Sequence, residues 1–320
     1  MNPQNQDITI KRLNIYVTAK NGLVGKNLLE NEDLKNHNVF ATSHGELDLT
    51  DYNAVKAFLN EKKPEIVIHC AGLVGGIQAN INRPYEFFLN NVLMGINVVR
   101  ASYELGIKKF LNLSSSCSYP RNYKQPLKEE YVLQGELEPT NEGYALAKLS
   151  ILKMCEYISR QFEGYQYKTL IPCNLYGRFD KFSPKNSHMI PSVIRKLHEA
   201  KEQGVNNVDI WGDGKARREF MYAGDLADGI SYCINNFDRM PALMNIGLGY
   251  DYTVDEYYET IAKVVGYSGK FNHDLTKPAG MKQKLVDISR QTEFGWKPKH
   301  TLEEGIIKTY DYFLNEYKGE

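Results

Sequence analysis

Leu13-Asn14-Ile15-Tyr16-Val17-Thr18-Ala19-Lys20-Asn21-Gly22-Leu23-Val24-Gly25 joins a short apolar, β-branched run to a turn with two glycines and then to a second apolar run. The first run has the length and composition of a buried strand, and the second has the spacing of a helix. A strand that turns tightly into a helix points the helix's first amides at the turn, where they can hold a pyrophosphate. Gly22 would let phosphates approach the backbone and Gly25 would let the helix pack closely on the strand, while Ala19 stands where such turns usually carry a first glycine. Taken alone, the stretch is also compatible with a plain strand-turn-helix, so the reading depends on the rest of the chain.

Downstream, short β-branched runs alternate with segments of helical spacing. Strands are expected at Leu13 to Thr18, Asn38 to Thr42, Glu65 to Cys70, Lys109 to Ser114 and Lys168 to Pro172. Helices are expected after Gly22, after Asp51, from Pro84 to Leu105 and from Glu142 to Phe162. This rhythm is that of repeated β-α-β units, so the expected class is α/β, a Rossmann-type doubly wound parallel sheet. The strands' carboxyl ends then share one edge, where open sheets of this kind bind ligands. After Tyr176 the pattern loosens into the loop Gly177 to Ser187. Beyond it come a helix from Ile190 to Gln203, a strand at Asp209 to Trp211, and helices at Asp225 to Asn235, Val254 to Val265 and Leu302 to Phe313. We therefore expect a dinucleotide-binding domain over residues 1–176. Residues 177–320 form mainly a smaller substrate-binding α/β domain, with some segments returning to the first.

Composition narrows the function. Lysine plus arginine and aspartate plus glutamate both number 39 among 320 residues, so no global field draws the chain to nucleic acid or to an anionic membrane. Any phosphate recognition must be local. The five cysteines, Cys70, Cys117, Cys155, Cys173 and Cys233, are scattered and include no Cys-x-x-Cys pair, which argues against a disulfide framework and against a zinc site; no metal is expected. Met1 to Ile10 lacks an apolar signal core and no apolar run reaches membrane-spanning length, so the expectation is a cytoplasmic protein.

Chemistry is carried by three groups of residues. Tyr144 and Lys148 lie four apart on one helix face, where an ammonium would pull the phenol pKa down from about 10 and make Tyr144 a usable proton donor or acceptor. That spacing recurs by chance on many helices. Leu113-Ser114-Ser115-Ser116-Cys117 adds weight, because it follows a strand and brings hydroxyls out at the ligand edge. There Ser115 would steady charge on a substrate carbonyl oxygen together with Tyr144. Cys117 and His188 are candidates to move protons at carbons beside that carbonyl, where carbon acidity is raised, Cys117 as a thiolate base and His188 as the partner acid. The end of the second strand should meet the adenosine ribose; Lys20 and His44 would suit a 2′-phosphate, Asp48 would accept from the adenine amino group, and Asp51 reads as a helix cap. Arg217 and Arg218 after Trp211 offer guanidinium forks for a diphosphate and an aromatic face for stacking, with Lys196 as a further charge. Each of these residues has an ordinary alternative as a solvated surface group, a turn hydroxyl or a buried small side chain.

Taken together, the residues resemble the GDP-L-fucose synthase family, the 3,5-epimerase/4-reductases of GDP-4-keto-6-deoxymannose within the extended short-chain dehydrogenases/reductases. The segments that carry the resemblance are Leu73 to Asn80, Ser115 to Pro120, Leu137 to Glu142, Asn186-Ser187-His188 and Arg218-Glu219-Phe220. It implies that Tyr144 is the proton donor, that Lys148 and Ser115 assist, and that Cys117 and His188 epimerise the sugar before a hydride reaches C4. It implies cofactor contacts from Ala19, Lys20, Asn21, Gly22, Leu23, Val24 and Gly25, from Leu113, Ser114, Ser115 and Ser116, from Pro172, Cys173, Asn174 and Leu175, and from His188; His44 and Asp48, read above at the ribose end, and Lys148 complete the expected cofactor set. Substrate contacts would come from Lys196, Trp211, Arg218 and Asp287. Asn21 stands where the family often has an arginine for the 2′-phosphate, and Lys196 also replaces an arginine; the implied cofactor is NADP(H), with NAD(H) left open. A homodimer is implied as well. The expected function is therefore NADPH-dependent epimerisation and reduction of a GDP-4-keto-6-deoxyhexose or related GDP-ketosugar. The rival readings are a C4 reductase without epimerisation, acting for example on a heptose derivative, and a non-catalytic nucleotide-sensing module.

Overall fold

The computed structural model describes residues 11–183, 187–277 and 281–317. The chain begins β1 (Asn14–Thr18), α1 (Leu23–Leu29), β2 (Asn38–Thr42), α2 (Tyr52–Lys62), β3 (Ile66–His69), α3 (Ile77–Asn82), α4 (Pro84–Glu104), β4 (Lys109–Leu113), α5 (Glu142–Gln161), β5 (Gln166–Pro172) and β6 (Asn174–Tyr176). It continues α6 (Met189–Glu202), β7 (Asn207–Trp211), β8 (Arg217–Arg218), β9 (Phe220–Tyr222), α7 (Ala223–Asn235), β10 (Leu243–Ile246), β11 (Tyr252–Thr253), α8 (Val254–Val265), β12 (Lys270–Asp274), β13 (Gln283–Lys284), α9 (Ser289–Phe294) and α10 (Leu302–Asn315).

Among the described residues, six parallel strands form one sheet in the order β2-β1-β3-β4-β5-β10. The chain leaves β1 toward β2 and then crosses to β3 on the other side, so the strand order reverses between β1 and β3. A crevice opens there at the carboxyl edge. Strand alternation sorts the side chains into two layers. Tyr16, Val67, Phe110 and Tyr167 face α2, α4 and α5, whereas Ile15, Val17, Ile66, Ile68, Leu111 and Leu170 pack with Leu28 of α1 and with Leu226, Ile230 and Ile234 of α7. Being covered on both faces is what makes these strands read as nearly continuous apolar runs. A second core gathers Ile190, Ile194 and Leu197 of α6, Val208 and Ile210 of β7, Tyr257 and Ile261 of α8, and Ile306 of α10.

The strands and helices expected from sequence are present, with ends shifted by at most two residues. The sheet's sixth strand, β10, comes from residues 243–246, far beyond Tyr176. Two further features draw distant segments together. β8 pairs with both β11 and β13, and the buried Glu219 carboxylate accepts from the backbone N–H groups of Leu248, Gly249 and Val286. In this way the segment carrying β13 is fastened beside the edge of the large sheet.

Candidate active site

The turn after β1 is built as its glycines require. A methyl group at Gly25 would overlap the Ala19 carbonyl oxygen, so α1 can approach β1 this closely only with glycine there. Ala19 occupies the left-handed region at φ 57°, a conformation that costs a non-glycine residue roughly 1 kcal/mol. α1 opens at Gly22 without any side chain capping its first turn, so the turn formed by Ala19, Lys20, Asn21, Gly22, Leu23, Val24 and Gly25 is a glycine-lined cradle that fits a dinucleotide pyrophosphate.

The residues expected near the ribose are held differently from their sequence reading. Lys20 pairs at 2.5 Å with Glu46, whose carboxylate also accepts from the Ser43 amide and hydroxyl. These contacts, that with Lys20 foremost, hold the Glu46 carboxyl down to about 2. His44 is exposed, 4.0 Å from the Asp48 carboxylate. Asp48 accepts from the Thr50 amide and hydroxyl and thus shapes its own turn, and Asp51 caps α2 as expected. Both cationic candidates therefore already face a carboxylate, and sequence reasoning missed Glu46.

At the carboxyl edge the catalytic candidates converge. α5 carries Tyr144 and the buried Lys148. The Lys148 ammonium donates to the carbonyls of Ala71 (3.3 Å), just past β3, and Leu113 (3.0 Å), the last residue of β4. Burial pushes Lys148 down to about 8. Tyr144 departs from the sequence expectation. Burial pushes its phenol above the usual value, a negative charge on Cys117 acts in the same direction, and a hydrogen bond with Ser115 offsets them only in part. The Lys148 ammonium, 5.9 Å from the phenol ring centre and turned toward the two carbonyls, does not offset this burial. The resting phenol consequently keeps its proton, the state a donor needs. Ser114 and Ser118 bond each other at 3.1 Å, and Ser116 is buried. Pro172, Cys173, Asn174 and Leu175 form the passage from β5 into β6, where Cys173 N–H bonds the Ile246 carbonyl and Asn174 bonds the Glu219 carbonyl.

Cys117 lies in the same cluster. Its sulfur receives the Asn141 side-chain amide at 3.1 Å and the Lys284 ammonium at 3.5 Å, and neither partner was expected from sequence. His188 begins α6. Burial first, then the charges of Lys181 and Lys284, hold its imidazole below the ordinary value. The ring is therefore neutral at pH 7 rather than poised to donate, and it must take up a proton before acting as an acid. Of the segment Asn186-Ser187-His188, Asn186 lies outside the described residues.

The substrate candidates are more dispersed. Arg218, half-buried, donates to the Arg217 carbonyl and sits in register with Lys284 across β8 and β13. Arg217 binds Asp251 through its side chain at 2.6 Å and through that residue's carbonyl at 2.7 Å, so it is a structural staple rather than a diphosphate fork. Lys196 donates to the Asp209 carbonyl, exposed Trp211 ends β7 beside Lys277, and Asp287 accepts from the Ser289 amide. Among the described residues, no hydrogen bond or ion pair joins Lys196, Trp211 or Asp287 to the Tyr144 cluster.

A parallel sheet in this order, with serine, tyrosine and lysine grouped at its carboxyl edge, defines a short-chain dehydrogenase/reductase of the extended type. The chain belongs to the NAD dependent epimerase/dehydratase family, whose model matches residues 15–247, and within it to the GDP-L-fucose synthase family. It is 53% identical to the GDP-L-colitose synthase of Yersinia pseudotuberculosis over 96% of this chain and 100% of that one. It is 38% identical to the GDP-L-fucose synthase of Escherichia coli strain K12, over 94% and 96% of the two chains. Among solved structures it is similar to the GDP-mannoheptose C4 reductase from Campylobacter jejuni with NADP bound, with a TM-score of 0.85, 34% identity, and 95% and 98% of the two chains covered.

Proposed function

We propose that this protein is an NADPH-dependent enzyme that epimerises and then reduces a GDP-4-keto-6-deoxyhexose or a closely related GDP-ketosugar. The observation that carries the reading is the grouping of a protonated Tyr144 phenol, the Ser115 hydroxyl bonded to it, and a Cys117 sulfur met by two donors. NADP(H), held by the Ala19 to Gly25 cradle, supplies the hydride when bound. Cys117 as thiolate takes the proton from a carbon next to the ketone; the C–H electron pair passes into the carbonyl, whose oxygen Ser115 and Tyr144 steady by hydrogen bonding. His188, once protonated, returns a proton to the opposite face of that carbon, inverting it. In the reduction Tyr144 gives its proton to the carbonyl oxygen, while the Lys148 charge, fixed by the ends of β3 and β4, stabilises the phenolate that remains. Arg218 and Lys196 would hold the diphosphate, and Trp211 and Asp287 the rest of the nucleotide sugar.

The dinucleotide lies on the first 176 residues and the substrate mainly on the remainder. The protein acts in the cytoplasm and as a homodimer; the dimer is supported by Tyr85, Phe88 and Leu93 of α4 and Leu146 and Tyr157 of α5, large apolar side chains left exposed on neighbouring helices. A second reading, reduction at C4 without epimerisation, is favoured by the likeness to the C4 reductase. Incubation with GDP-4-keto-6-deoxymannose in deuterated water separates the two. Epimerisation predicts solvent deuterium beside the ketone without NADPH; reduction on adding NADPH, with no such deuterium in the product, selects the second reading.

A further inference from the structure

Lys284 lies 167 positions from Cys117 in sequence, on a two-residue strand at the rim of the small sheet. β13 is parallel to β8 in a register that sets Lys284 beside Arg218. Its ammonium is 3.5 Å from the Cys117 sulfur, and among the described residues it forms no ion pair with a carboxylate. Arg217, one position before Arg218 on the same β8, is by contrast bound to Asp251. Asn141 approaches the same sulfur from the start of α5. Asparagine at a helix N-cap ordinarily accepts from the first-turn amides, yet the Asn141 side chain makes no capping bond. It turns its NH2 group toward the sulfur at 3.1 Å and leaves its own Oδ1 buried without a partner. A helix cap has been given up so that a donor can face a thiol. Cys117 also packs against the apolar cluster of Leu137, Ala145 and Leu149 with Val132.

We propose that Lys284 is the positioning residue for the Cys117 base, supplying the positive charge, with Asn141 supplying the second hydrogen bond, that keeps the sulfur as a thiolate beside Tyr144. This rests on the epimerase reading and deepens it. A thiolate in an apolar wall needs a nearby cation and donors to replace lost water, and this sulfur has one of each. The ionisable groups that face it are Tyr144 on α5 and Lys284 on β13. Lys284 in turn acts on His188 at the head of α6, which Lys181 also influences. The arrangement gives the two chemistries a common electrostatic frame: Lys284 favours an ionised Cys117, and an ionised Cys117 favours a protonated Tyr144.

The test is the pH dependence of Cys117 alkylation by iodoacetamide in the intact protein, read from the mass of the Cys117 peptide. Cys70, pushed up to about 12 by burial, provides an internal contrast. The wild-type reactivity midpoint is the reference. Lys284→Met should raise it by about one pH unit or more, and Lys284→Arg, which keeps the charge, should restore it. Should Lys284→Met fail to fold by circular dichroism, Lys284→Gln removes the charge while keeping a polar group. A midpoint that stays in place in the neutral variant overturns the proposal. Deuterium exchange into the ketosugar, followed over the same pH range, should shift in parallel. If alkylation shifts but the wild type exchanges no deuterium, Lys284 still tunes Cys117 and it is the epimerase reading that falls.

Discussion

Glu46 bears on dinucleotide choice more directly than any residue singled out in the sequence. It binds Lys20 at 2.5 Å where the end of β2 meets the adenosine ribose in folds of this kind. A 2′-phosphate must compete with this carboxylate for Lys20, whereas a 2′-hydroxyl need not. Glu46→Gln is expected to tighten NADPH about fivefold and to leave NADH within about twofold, the scale of one exposed ion pair, and the gain should shrink as salt screens the charges. Fluorescence titrations with both dinucleotides check this; equal changes for the two would refute it. The other residues of the site differ in how visible they were. Tyr144, Lys148, Ser115 and Cys117 could be picked out because they lie within 34 positions on one strand, turn and helix, where spacing fixes proximity. Lys284 and Asn141 could not, since nothing local ties either to Cys117.

Among the elements, β1, β3, β4 and β5 were legible because burial on both faces leaves them mostly apolar, as in β3, all four of whose residues are buried; the edge strand β2 is only partly buried and was read from its short apolar run before a turn. α2 was marked by its cap, Asp51; α8 opens on a capping box of Thr253 and Glu256 that the sequence reading did not use. β10 escaped notice because Leu243 to Ile246 is a four-residue segment that offers too little periodicity to separate strand from loop. β8, β11 and β13 have two residues each and no periodicity at all. They exist through tertiary pairing, and the site borrows Lys284 and Arg218 from them. The electrostatics were equally hidden. Helical spacing placed Lys148 near Tyr144, but only the geometry shows the ammonium turned to the Ala71 and Leu113 carbonyls.

At the level of the whole molecule, two cores meet around a chain that passes between them several times, and one group ties their stability to pH. Asp180 follows β6 and is 7% exposed, with one carboxylate oxygen buried and unpartnered. Burial pushes its pKa up to about 7, against the pull of the Lys181 amide and charge. The folded chain then holds a proton that the unfolded chain releases near pH 4, so this group's contribution to stability is full below pH 4 and is lost as pH rises through about 7. Asp180→Asn should leave stability at pH 4 nearly unchanged and raise it at pH 8 by roughly 4 kcal/mol, taking each pKa unit as about 1.4 kcal/mol. Urea unfolding at the two pH values checks the sign, and a variant destabilised at pH 8 would show the carboxylate to be needed.

The reduction itself offers the most direct test of the central claim, that Tyr144 delivers the proton which completes hydride transfer to a GDP-ketosugar. NADPH consumption with GDP-4-keto-6-deoxymannose should be steady in the wild type, and in Tyr144→Phe it should fall by about 100-fold or more with NADPH affinity retained. Consumption within tenfold of wild type in that variant, or none in the wild type, would contradict the account.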